Sequence, residues 1–167
     1  MIQMPWTERV FNFDFPVGVF PGIVERLRGT PGRIAELVKS VPHDMLTRRP
    51  RGRWSVNEHI GHLIDLDELD HMRLDQFLAR AATLSAADMS NRRTNEAGYN
   101  DVLTGTILDY LRARRADLVK RLEDLTDEQI ARTALHPRLQ VPMRVVDWAY
   151  FVAEHDDHHL ARIREQT

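Results

Sequence analysis

The sequence predicts an all-α protein built as a four-helix bundle, and three observations carry that expectation. Four long stretches repeat their apolar residues with a helical period, and one long polar connection separates the second from the third. Apart from a short candidate near 139–141, no stretch alternates as strands do. The 167 residues show no low-complexity break and read as one domain over 1–167, long enough to bury most of its apolar surface.

Residues 1–15 read as an irregular lead-in whose aromatics, Trp6, Phe11, Phe13 and Phe15, dock it on the core. The first helix spans about 17–40, with Phe20, Ile23, Val24, Leu27, Ile34, Leu37 and Val38 in helical register. Gly29-Thr30-Pro31-Gly32 interrupts it. Pro31 removes a backbone donor, so a kink or a fresh start capped by Thr30 is expected there. Residues 42–52 form a polar turn region. The second helix opens at Ser55, because Ser55-Val56-Asn57-Glu58 is a capping box and Trp54 stands where a hydrophobic staple would. It runs to about 82. Residues 83–100 are a polar crossover, and the third helix covers about 102–122. Thr126-Asp127-Glu128-Gln129 opens a short helical turn, and 133–142 is extended with His136-Pro137 inside it. The fourth helix starts near Met143, behind Pro142.

Composition narrows the function. Twenty-three basic and 25 acidic side chains give a net charge of −2, with no basic block of the kind that neutralises phosphates, so nucleic acid is not an expected partner. Cysteine is absent, which removes disulfides, thiolate ligands and a cysteine nucleophile and fits a cytoplasmic setting. Neither a secretory leader nor an apolar run of about 18 residues is seen, so no membrane association is expected.

The fourth helix carries the strongest chemical signal. His155 and His159 lie one turn apart, which places their imidazoles about 5–6 Å apart on one face, close enough to share a metal ion. Val145, Trp148, Val152 and Ile163 fall on the same side of the wheel, so the pair is expected to look into the core. A buried imidazole needs a partner, and a metal is one. A third ligand has to come from elsewhere. The second helix offers His59 and His62, and periodicity does not choose between them.

Two segments taken together point to a family. Trp54-Ser55-Val56-Asn57-Glu58-His59-Ile60-Gly61-His62-Leu63, followed far downstream by His155-Asp156-Asp157-His158-His159-Leu160-Ala161-Arg162-Ile163, resembles the DinB/YfiT-like superfamily over roughly residues 5–165. The resemblance implies a four-helix bundle of up-down-down-up topology, often a homodimer. It also implies a three-histidine site for a divalent ion, zinc or nickel first, manganese or iron as further candidates. On that match the ligands are His62, His155 and His159. Arg162 stands where the family often has glutamine, which bears on any substrate contact of that glutamine and not on the ligand set. His158 is read as a solvated or dimer-contact edge residue and His59 as a structural or ligand-supporting one. Glu58 and Asp65, each about one turn from His62, are read as capping and solvated groups unless one orients a ligand imidazole.

Three imidazoles leave open positions on an ion, the catalytic arrangement in which the pKa of bound water falls from 15.7 toward about 7 or a thiolate is activated. With no cysteine in the chain, a thiol would have to be a co-substrate. The expected function is a metal-dependent enzyme acting on a small molecule, either a hydrolase or a transferase using a low-molecular-weight thiol. The alternative is a non-catalytic metal-binding or stress-response bundle. The zincin pattern is not met, since aspartate follows His155 and points about 100° away from the metal side, and no nucleophile elbow or phosphate loop is present.

Overall fold

The structure is a computed structural model that describes residues 3–167. Its elements are α1 (Phe20–Val38), α2 (His43–Thr47), α3 (Val56–Leu78), α4 (Arg92–Glu96), α5 (Thr104–Glu123), α6 (Asp127–Ile130), β1 (Thr133–His136), β2 (Val141–Arg144) and α7 (Val145–Arg164). The long helices α1, α3, α5 and α7 form the bundle, and named contacts fix their directions. Thr104 Oγ1 donates to Asn57 Oδ1 at one end while Arg121 reaches His71 and Asp75 at the other, so α3 and α5 run parallel. Arg26 meets Glu154 and Thr30 meets Asp156, so α1 and α7 are parallel too. Phe77 packs on Trp148 while His59 lies against His159, which makes α3 and α7 antiparallel. The result is the up-down-down-up bundle. Parallel neighbours cannot be joined by a short loop, and the chain between α3 and α5 is accordingly a long crossover. Among the described residues no helix is long and apolar enough to cross a membrane.

The apolar interior is split in two. One cluster joins Leu27, Leu74, Phe77, Leu118 and Trp148, and the other joins Ile34, Ile60, Leu63, Leu111 and Ile163. Between them runs a buried polar layer. Arg115 grips Asp156 through two nitrogens, at 2.8 and 3.1 Å, and Thr30 Oγ1 donates to Asp156 Oδ2 at 2.7 Å. Burial lifts the Asp156 carboxyl above its ordinary pKa, although Arg115 and Thr30 pull it back.

Three expectations about the elements change. Helix α1 passes through Pro31 without a fresh start, and Thr30 does not cap it. Leu27 and Ile34, on either side of the proline, are fully buried against the other helices, and that burial outweighs the roughly 3 kcal/mol that a proline costs a helix interior. The Thr30 hydroxyl is directed at Asp156 instead. The extended stretch is a hairpin, β1 pairing antiparallel with β2 from Thr133↔Arg144 to His136↔Val141. Its turn uses Gln140 at φ 54, so no glycine announced it. Pro142 lies within β2, and α7 begins at Val145, where Asp147 accepts the Arg144 N–H at 2.8 Å. The Ser55/Glu58 box is closed as expected, and the short turn expected from Thr126 is α6, itself opened by a Thr126/Gln129 box. The lead-in also docks, with Trp6 and Phe11 on Phe151 and Phe15 on Tyr150.

One glycine fixes the packing of the crossover. A Cβ on Gly61 would lie 2.3 Å from the Tyr99 ring. Gly61→Ala should therefore cost about 1–3 kcal/mol in a urea unfolding experiment. Adding Tyr99→Ala should recover part of that loss, because the two changes share one contact. Strictly additive effects would show that the ring does not depend on the missing side chain.

Candidate metal centre

The centre is built toward the end of the bundle where α3 begins and α7 finishes, between these two antiparallel helices. One nitrogen from each of His62, His155 and His159 lies within 4.8 Å of the others, and the Nε2 atoms of His155 and His159 are 3.2 Å apart. His62 and His159 are 6% and 5% exposed. Burial pushes the His62 ring down to about 4 and holds His155 and His159 well below the ordinary histidine value, with the neighbouring imidazoles adding to it. A neutral imidazole can offer a lone pair to a cation, and three such rings meet in one small volume. The residues fit a divalent ion by number, ligand type and spacing.

The crossover supplies the support. Tyr99 O–H and Thr94 Oγ1 both donate to the Asp65 carboxylate, each at 2.8 Å, and Arg93 Nε stands 3.2 Å from it. Burial and the adjacent Asp65 keep the Tyr99 phenol protonated by raising its pKa. Since the Thr94 hydroxyl proton is committed to Asp65, Thr94 Oγ1 accepts from His62 Nδ1–H at 3.0 Å. That fixes the His62 tautomer and leaves Nε2 free to bind metal. Asp65 therefore orients the His62 imidazole through Thr94. Glu58 does not: it closes the Ser55 cap and pairs with Arg49.

His59 supports the other side. Its Nδ1 lies 2.9 Å from His159 Nδ1. If His159 offers Nε2 to an ion, its Nδ1–H donates to His59, whose own proton then sits on Nε2. Trp54, in the staple position, packs on His59 and His62, with ring centroids 5.6 and 4.7 Å away. His158 is not the solvated edge residue that the sequence suggested. It is buried under Trp6, and its Nδ1 meets Gln3 Nε2 at 3.0 Å, because the lead-in folds over the face a bare helix would expose. The histidine pair itself faces a pocket rather than the apolar core. It is the intervening Asp156 that points into the bundle.

That pocket has a volume of about 450 Å³ and opens beside the three histidines. Sequence reasoning missed several of its walls. Leu66, Leu69, Asp70 and Arg73 follow His62 at helical spacing and line it, a stripe visible in the sequence once His62 is taken as its origin. Asp70 is held at about 7, chiefly by burial, in the range suited to proton transfer at neutral pH. His136 and Arg138 enter from the hairpin and gave no local signal.

Acid should destabilise the metal-free protein. The folded-state values of His59, His62, His136 and His158 fall to about 3 or 4, below the unfolded value of 6.5, in each case first through burial. Below pH 6.5 the unfolded chain therefore binds more protons, and stability falls as pH drops toward those values. Each ring contributes a slope of up to about 1.4 kcal/mol per pH unit. Urea midpoints of chelated protein should be steady above about pH 7 and fall by several kcal/mol equivalent by about pH 4.5. Flat midpoints across that window would show the rings to be protonated in the folded state.

The comparisons with known proteins agree with this architecture. Among curated proteins none matches the sequence. The structure is similar to that of YfiT from Bacillus subtilis, described as a probable metal-dependent hydrolase with an unusual four-helix bundle topology. The TM-score is 0.80 and the identity 19%, covering 95% of this chain and 91% of that one. The model of the DinB superfamily matches residues 26–163. With nearly the whole bundle inside that match, the chain belongs to the DinB superfamily.

Proposed function

We propose that this protein is a metal-dependent enzyme acting on a small molecule, with His62, His155 and His159 holding one divalent ion. The observation that carries the proposal is the pocket. The three imidazoles converge beside an open cleft of about 450 Å³ with aromatic and aliphatic walls, where a sealed centre would suit a purely structural ion. Bound there, zinc, nickel or a similar ion supplies Lewis acidity that polarises a substrate oxygen or sulfur and lowers the pKa of a water or thiol. The chain's own residues do the rest. Thr94, Asp65 and His59 hold the ligand tautomers, Trp6 and Trp54 limit water around the site, and Asp70 is placed on the wall to take or give a proton.

Hydrolysis is the reading favoured by likeness to YfiT, and transfer of a low-molecular-weight thiol is the second, since a cysteine-free chain must take any thiol from a co-substrate. A cytoplasmic setting and a homodimer belong to the same reading, checked by fractionation and light scattering. The deciding experiment purifies the protein without nickel resin, measures its metal, and screens esters and amides in parallel with thiols plus electrophiles. Turnover should stop under chelator and return with zinc, nickel or manganese. Metal-loaded protein that turns over none of these substrates would favour the non-catalytic bundle.

A further inference from the structure

Two donors in the pocket wall have no use in holding a metal. His136 is 2% exposed, and its Nδ1 accepts the Leu139 N–H at 3.2 Å. The neutral ring therefore carries its proton on Nε2, and that buried Nε2–H has no hydrogen-bond partner among the described residues. Arg138, two residues on, has a buried Nη2 that is likewise unpartnered, and among the described residues no carboxylate pairs with its guanidinium. The group is held instead 5.7 Å over the Phe151 ring. A buried donor left without a partner is costly, more so when charged, so such a pair is retained where something else satisfies it.

The other charges nearby are already matched. Arg73 gives two nitrogens to Ser85 O, at 3.0 and 2.9 Å, and the Asp70 carboxyl nearby favours its charged form. Arg162, on the far rim, pairs with Glu165 at 3.2 Å. Among the described residues, Arg138 is the basic side chain of the pocket with a buried nitrogen that no protein group meets. We infer that the pocket takes a small organic acid whose carboxylate rests on His136 Nε2–H and the Arg138 guanidinium. One such cation among largely apolar walls suits a monoanion, and a phosphate dianion would bring a second charge toward Asp70 with nothing to meet it. The spacing serves chemistry at the histidines. His136 packs on Phe151, ring centroids 5.1 Å apart, and Phe151 precedes His155 by one helical turn. A carboxylate so placed shares its pocket with the three imidazoles. The inference rests on reading this cleft as a substrate pocket, though not on the ion itself.

The test uses chelated protein, so that no acid can bind through a metal, and calorimetric titration at pH 7. Acetate, butyrate and phenylacetate are each compared with their own amides. At least one acid should bind about tenfold or more tighter than its amide, as a charged hydrogen-bonded pair would give. Arg138→Gln should abolish that preference, and Arg162→Gln should keep it. Equal binding of acid and amide throughout, no binding by any acid, or a preference that survives in Arg138→Gln would overturn the inference. A separate His155→Ala variant distinguishes the two readings. Metal lost with the acid preference intact leaves the subsite standing, whereas wild-type protein that binds metal but shows no preference sinks the subsite alone.

Discussion

Replacing His155 by alanine should strip the ion from the protein. Removing a supporting partner beyond the ligands typically weakens a metal site by 10–100-fold, and removing one of three ligands should exceed about 100-fold. His62→Ala and His159→Ala should do the same, since each nitrogen in the group lies within 4.8 Å of the others. Metal content after dialysis at micromolar protein is the readout. Thr94→Val should show the smaller effect, because it removes the acceptor that fixes the His62 tautomer and leaves the ring in place. His158→Ala should leave metal content close to wild type, since its Nδ1 is bound to Gln3 and its ring lies outside the group. Metal retained in His155→Ala, with His59 or His158 as the replacement donor, would refute the assignment.

Arg115→Ala should give the largest loss of stability away from the metal. Its guanidinium and the Asp156 carboxylate are 4% and 1% exposed, so cutting one partner leaves a charge buried with no ion to meet it. Breaking such a pair costs about 3–5 kcal/mol, against about 1 kcal/mol for Thr30→Val, which removes a single hydrogen bond to the same carboxylate. Replacing both charged residues by apolar ones of similar volume should cost far less than either single change. Unfolding by urea measures all three. A loss below about 1 kcal/mol in Arg115→Ala would mean that Asp156 is neutral in the native state and that no ion pair is broken.

What could be read in the sequence was whatever is local. Ser55 with Glu58 is a contact three residues apart and closes as expected, and the short helical turn expected from Thr126 opens with a box of the same span to Gln129. The one-turn spacing of His155 and His159 needed only the helical period. Periodicity left His59 and His62 undecided because both are buried against α7, one supporting His159 and the other grouped with the histidine pair. Contacts made by distant segments left no trace. Thr94 and Tyr99 belong to a connection that looked merely polar, and Arg115 and Asp156 are separate charges until α5 and α7 pack. Pro31 misled because local propensity pointed one way and burial of its neighbours the other.

The place of α7 after all the other helices in the chain also sets an order of events during synthesis. His62 is made early, with α3, but its two companions arrive only with α7, after every other helix of the bundle. Helix α7 also brings Trp148 and Val152 to one apolar cluster and Leu160 and Ile163 to the other. Closing the centre and completing both clusters is thus a single late step between segments far apart in the chain, the slow kind of contact in folding. An ion cannot nucleate this bundle in the way it nucleates a zinc finger. On the proposed ligand set an ion would be captured by a chain whose other helices are already laid down, and the rate at which refolding protein takes up metal should match the rate at which Trp148 becomes buried.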